Sequence, residues 1–287
     1  MDCQSASKGL FLGLLCLVGG IIILIIFFVM KDSPEYKGQM FWIYSGAEII
    51  ILTLSIISAL AAFVQIQKLS HSFNVPYDLD TLLSSITVTG SYIYGVFGML
   101  ASVFSISETR SMIVFAQCAL LVVQVTMQGK SKSDERPSVV FCLRSGVFSG
   151  SCDSNADNPQ LCENQAAFCI VCLACFNYIC QISSNIHLYS IASGMIISET
   201  SRRVCTTRAQ QAAKPGRQII TFLLFANITL WVLDTFMSHR DITQGVQTEF
   251  YGLLAWGIIS RISLPLLIFY RFHSCVVLVE IWKNTYR

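Results

Sequence analysis

Apolar positions in this chain gather into runs of 18 to 26 residues that carry almost no charge. A run of that length, wound as a helix rising 1.5 Å per residue, crosses the ~30 Å hydrocarbon core of a bilayer. Lipid offers backbone amides no partners, so only helices or closed barrels span it. The runs lack strict two-residue alternation, which selects helices over barrel strands. The pattern predicts six spans, at 9–30, 41–66, 82–107, 111–128, 218–238 and 251–272. The first run follows one lysine and is longer than the core of a cleaved leader, so it is read as a span. The expected class is an all-α membrane protein built as a six-helix transmembrane bundle.

Most connections are short, but the one from Gly129 to Arg217 covers about 90 residues. Residues 129–200 of it read as an atypical insertion rich in cysteine and serine, expected to be disordered or to come from untranslated sequence carried into the frame. Seven of the twelve cysteines lie between Cys142 and Cys180. Cys169, Cys172, Cys175 and Cys180 approach the spacing of an iron–sulfur run, but the last interval is wrong and no proline follows. The residues between them are apolar, so metal binding is not expected. The stretch Ala166–Cys180 is too short to span comfortably. If it did cross, seven spans would result, as in a receptor, and the basic clusters would fall on opposite sides.

Charge sets the expected orientation. With the N-terminus inside, inside segments hold fourteen Lys or Arg and outside loops hold four. Both termini are therefore expected to face the cytoplasm. Arg202, Arg203, Arg208, Lys214 and Arg217 form the densest basic group, with no acid between them. Only 13% of residues are charged, and the net charge of +2 argues against nucleic acid as a partner. No catalytic or cofactor fingerprint is present, so neither enzyme activity nor a cofactor is expected. Asn227-Ile228-Thr229 has the form of a glycosylation acceptor but lies inside a span. Gly9 and Gly13 are spaced to let two helices approach closely.

The informative residues are polar ones inside the spans. Glu48, Gln124, Gln128, Asn227, Asp234 and Arg261 all fall within apolar runs. An ionisable side chain there costs at least ~2.5–3.5 kcal/mol on insertion scales, so it normally faces the bundle interior or water. The bland reading is interhelical glue, worth ~0.6–2 kcal/mol per hydrogen bond. The sharper one is a proton relay, because a carboxylate can take and release protons while amides hold a file of water. Tyr270, Arg271 and His273 read as the headgroup edge of the last span.

Towards the C-terminus the residues themselves carry a resemblance. The stretches PGRQIITFLLFANITLWVLDTF (Pro215 to Phe236) and FYGLLAWGIISRISLPLLIFYRFHSCVVLVEIWK (Phe250 to Lys283) closely resemble the last two spans of the otopetrin family. GLFLGLL, SGAEIII, SYIYGVFGMLAS and LLVVQVTMQ, in the first four spans, are more loosely similar and occur in the same order. The resemblance implies the second six-helix, barrel-like half of a twelve-span protein that assembles as a dimer. It implies proton-selective conduction across the plasma membrane, with Glu48, Gln124 and Asn227 as the polar cluster and Tyr270 and His273 lining the cytoplasmic end.

Three departures go with it. The first half is missing, so the expectation is a partial channel that pairs with an N-terminal six-span half or a second copy. The resemblance lapses between Gln128 and Ser201. Arg261 stands where the family has histidine, and is expected as a charge partner of Glu48. The rival expectation is a non-conducting membrane module that co-assembles with complete channels.

Overall fold

The computed structural model describes residues 3–30, 34–71, 79–104, 109–128, 203–237 and 244–286. Residues 129–200, with the expected insertion, its cysteines and Ala166–Cys180, lie outside the described residues. Among the described residues, six helices are long and apolar enough to cross a membrane. They are α1 (Cys3–Met30), α2 (Lys37–Ile66), α3 (Leu79–Phe104), α4 (Thr109–Gln128), α6 (Arg217–Met237) and α7 (Gly245–Thr285), with a short helix α5 (Arg208–Ala213) before α6. The chain is an all-α, multi-pass membrane protein.

Five of the helices close a ring: α2 packs on α4, α4 on α3, α3 on α7, α7 on α6, and α6 back on α2. The first helix lies against the rim, along α6 and touching α2. Its sequence explains that position. It carries no polar residue after Lys8 suited to an interior, and most of its large side chains are exposed. What it offers instead is small residues. Gly9 meets the backbone of Gln218, Gly13 meets the Phe225 ring and Gly20 meets Thr229. A Cβ on Gly13 would stand 2.8 Å from that of Phe225, closer than side chains tolerate. The Gly9/Gly13 pair thus sets how near two helices come.

The third helix uses the same device inside the ring, with Gly90 against Leu266 of α7 and Gly98 against Cys118 of α4. Between α2 and α6 the contact is filled by the larger side chains of Leu52, Phe222, Leu230 and Leu233, with Ala226 among them, all buried.

Helix boundaries follow the expected spans within a few residues, except in α7. This helix bends at Gly252, whose φ of 79° is left-handed and suits glycine. It then runs on to Thr285, well past the expected end at 272. Polar residues beyond Phe269 do not stop it because they sit on its buried face. Tyr270, Arg271, His273 and Ser274 are all buried, and Ile281 and Thr285 continue the stripe.

The C-terminal ends of α2 and α7 and the start of α6 lie at one end of the bundle, where a clasp joins them. Ser70–His71 pairs antiparallel with Arg203–Val204. Thr207 caps α5 by accepting from the Gln210 amide at 3.3 Å, and the Gln210 side chain accepts from the Thr207 amide at 3.3 Å. The same Gln210 side chain donates to the Lys68 carbonyl at 2.9 Å. Gln65 on α2 accepts from the Gly216 amide at 2.8 Å. Lys214 Nζ donates to the Tyr286 carbonyl at 3.2 Å, the Tyr286 hydroxyl donates to the Pro215 carbonyl, and Arg217 stacks 4.9 Å from the Trp282 ring. Burial holds the Tyr286 phenol well above its usual pKa, with Cys205 adding to the rise and Arg217 opposing it. It therefore remains a neutral donor. Lys8, Lys68, Arg208, Lys214, Arg217 and Lys283 make this the basic end of the molecule.

Candidate functional site: a polar seam inside the ring

A seam of polar side chains from α2, α4, α6 and α7 occupies the ring interior. It begins at a cavity lined by Tyr44, Glu48, Tyr94, Gln117, Asp234 and Gln247, among others, with about 30 Å³ of room for the centres of water molecules. Roughly 10–15 Å³ on that measure holds one water, given polar partners. Glu48 is half-buried on this cavity and accepts from Gln117 Nε2 at 2.7 Å. Gln117 lies on the α4 face that the helical period assigns to Gln124 and Gln128 as well, and all three are buried.

Next along the seam lies an ion pair. Arg271 Nε donates to Asp234 Oδ2 at 3.3 Å, with side chains 0% and 2% exposed. The same guanidinium donates through one terminal nitrogen to Gln124 Oε1. Two charges at such depth are tolerable because each compensates the other's desolvation; removing either alone leaves a buried charge. One turn further along α4, Gln128 Oε1 accepts from Asn227 Nδ2 at 3.1 Å, and that amide also donates to the Leu223 carbonyl at 2.9 Å. Gln124 Nε2, Gln128 Nε2, Asn227 Oδ1 and Arg271 NH2 are buried without a protein partner. Unused donors and acceptors so close together make a surface that water can bind.

The expected site residues fall into this seam unevenly. Glu48, Gln124 and Asn227 all face the interior, but they do not bond one another: Glu48 takes Gln117, Gln124 takes Arg271, and Asn227 takes Gln128. Tyr270 and His273 are buried well inside α7 rather than at its end. The Arg261 expectation needs correction. Arg261 is exposed on α7, to one side of the buried stripe formed by Trp256, Ser260, Leu264, Leu267 and Arg271, and makes no ion pair with Glu48. Helical period explains this: ten residues make about 2.8 turns, which sets Arg261 and Arg271 roughly 80° apart, and packing against α6 buries the second. Sequence reasoning missed Arg271 because it stood at an apparent span end. The available signal was Asp234, a lone acid deep in α6 that required an opposite charge nearby.

A helical ring that crosses the membrane several times and lines its interior with acids, amides and one buried arginine is a multi-pass protein with a polar core, the kind of architecture used to pass ions. The sequence profile of the otopetrin family matches residues 1–131 and 160–272. The chain belongs to the otopetrin family. It is 31% identical over its whole length to the Drosophila melanogaster proton channel OtopLc, covering 14% of that protein. It is 24% identical to the human proton channels OTOP3 and OTOP2, over 97% of this chain and 44% and 49% of theirs. The chain spans about half the length of these human relatives. The profile leaves residues 132–159 unmatched.

Proposed function

We propose that this chain forms part of a proton-selective channel of the plasma membrane. The observation that carries this reading is the seam itself: a carboxylate on a water-sized cavity, continued by an ion pair and by amides with unused hydrogen-bonding atoms. Protons move along hydrogen-bonded water, and a carboxylate poised among such water takes and releases them. Glu48 is the titrating group. Gln117 holds it, Gln124 and Asn227 orient water, and Tyr270 and His273 line the path towards the basic end. Both termini face the cytoplasm, in keeping with the concentration of lysine and arginine at the end where they meet. The chain works as a homodimer or beside an N-terminal six-span half.

The test is Glu48→Gln, recorded in the full natural chain at acidic external pH. The substitution keeps shape and removes the titrating group, so acid-evoked current falls at least tenfold while surface expression is unchanged. Unaltered current would make Glu48 a packing residue and remove the basis of the reading.

The rival reading is a non-conducting module that joins complete channels. Recording the chain alone separates the two. Acid-evoked current from it supports conduction, and silence at normal surface levels supports the module.

A further inference from the structure

The ion pair between Asp234 and Arg271 stands in the seam where a passing ion would meet it. Asp234 faces the cavity that also holds Glu48 and Gln117. Arg271 lies behind it, fully buried, and reaches across to Gln124 on α4. Beyond Gln124 come the amides of Gln128 and Asn227. Tyr44 and Glu48 from α2, Tyr94 from α3 and Cys118 from α4 complete the titratable groups on the cavity side. The guanidinium thus separates the cavity from the amides. It carries a permanent charge, because arginine does not lose its proton in proteins.

We propose that the Asp234–Arg271 pair is the ion-selectivity element of this bundle, admitting protons and excluding other ions of either sign. The inference rests on the conduction reading above and deepens it. A metal cation reaching the pair meets the guanidinium already seated on the carboxylate. An anion meets the carboxylate. Neither can be desolvated there without a compensating charge, which the pair withholds by satisfying itself. A proton alone is able to enter the pair chemically. It bonds to a carboxylate oxygen of Asp234, turning an anionic acceptor into a neutral carboxyl and loosening its hold on Arg271 Nε. The same proton then leaves that carboxyl for water held by the amides of Gln124, Gln128 and Asn227, and the carboxylate recaptures the guanidinium. Arg271 keeps its own protons throughout. No atom other than the proton moves across.

The two halves of the pair make opposite predictions. Asp234→Asn leaves a lone fixed cation, which recruits an anion to compensate it. Arg271→Gln leaves a lone carboxylate, which recruits a metal cation. Both variants, together with Asp234→Glu and the double variant Asp234→Asn/Arg271→Gln, are expressed in the full natural chain, checked at the cell surface, and read by reversal potential. In the unaltered chain the reversal potential follows the proton gradient and ignores chloride and potassium. In Asp234→Asn a tenfold change in chloride shifts it by at least half as much as a tenfold change in protons. In Arg271→Gln the same holds for potassium. Asp234→Glu keeps proton selectivity, and the double variant loses the chloride response because the fixed cation is gone. If Asp234→Asn fails to reach the surface, Arg271→Gln carries the test alone. A reversal potential that still follows protons only, in either single variant at the surface, overturns the proposal. Absence of any acid-evoked current in the unaltered chain would instead overturn the conduction reading beneath it.

Discussion

The clasp at the basic end and the seam within the ring are both built from polar side chains, yet they spend them differently. In the clasp each group has a near neighbour suited to it. Gln210 accepts from the Thr207 amide and donates to the Lys68 carbonyl, while Lys214 meets the Tyr286 carbonyl. The Gln210 and Lys214 side chains are only half-buried, so water could have met the same needs, and each bond adds little beyond fixing geometry. In the seam the groups are buried, and several atoms on Gln124, Gln128, Asn227 and Arg271 have no protein partner. Burial without full pairing is costly, and a fold keeps it where the unpaired atoms have another use. The clasp holds helix ends together. The seam holds open capacity.

That contrast is sharpest at the ion pair. Removing one member strands a buried charge, so Asp234→Ala is expected to destabilise by about 3–5 kcal/mol. Replacing both Asp234 and Arg271 with apolar residues should recover most of that loss. Thermal unfolding of the purified protein in detergent measures both; equal losses in single and double variants would deny that the two charges compensate each other. Next in size is the α1–α6 seam of small residues. Gly13→Leu forces a side chain into the Phe225 ring, costing about 1–3 kcal/mol as overpacking does. It should leave ion selectivity untouched, since Gly13 faces away from the ring interior. The smallest effect belongs to the clasp. Gln210→Ala removes half of the capping box around α5, worth roughly 0.5–2 kcal/mol at such caps. Amide hydrogen exchange should rise across 203–217 and stay constant in α4 and α6. Loosening that spread into the seam would show that the two regions form one cooperative unit.

The six spans were legible because hydropathy over a bilayer's thickness is a one-dimensional property, readable without knowing any neighbour. Their ends were legible where a loop carried charge or proline, as at Lys31 to Pro34. The end of α7 was not, because Arg271 and His273 look like headgroup anchors until another helix is known to bury them. Within the site, Glu48, Gln124 and Asn227 announced themselves as polar residues where lipid forbids them. Of their partners, only Gln128 did. Gln117 sits seven residues before Gln124 and reads as one more amide on α4, yet it is the side chain that reaches Glu48.

The choice between the two arginines of α7 shows where the boundary lies. Sequence alone determined that this chain carries six runs long and apolar enough to cross a membrane, with more polar side chains in them than lipid contact permits, since both follow from transfer free energies summed along the chain. Which of Arg261 and Arg271 turns inward, and that Asp234 and Gln124 receive it, was decided only when α4, α6 and α7 packed together. A buried charge is stabilised by what surrounds it in three dimensions, and those surroundings come from segments more than a hundred residues apart in the chain.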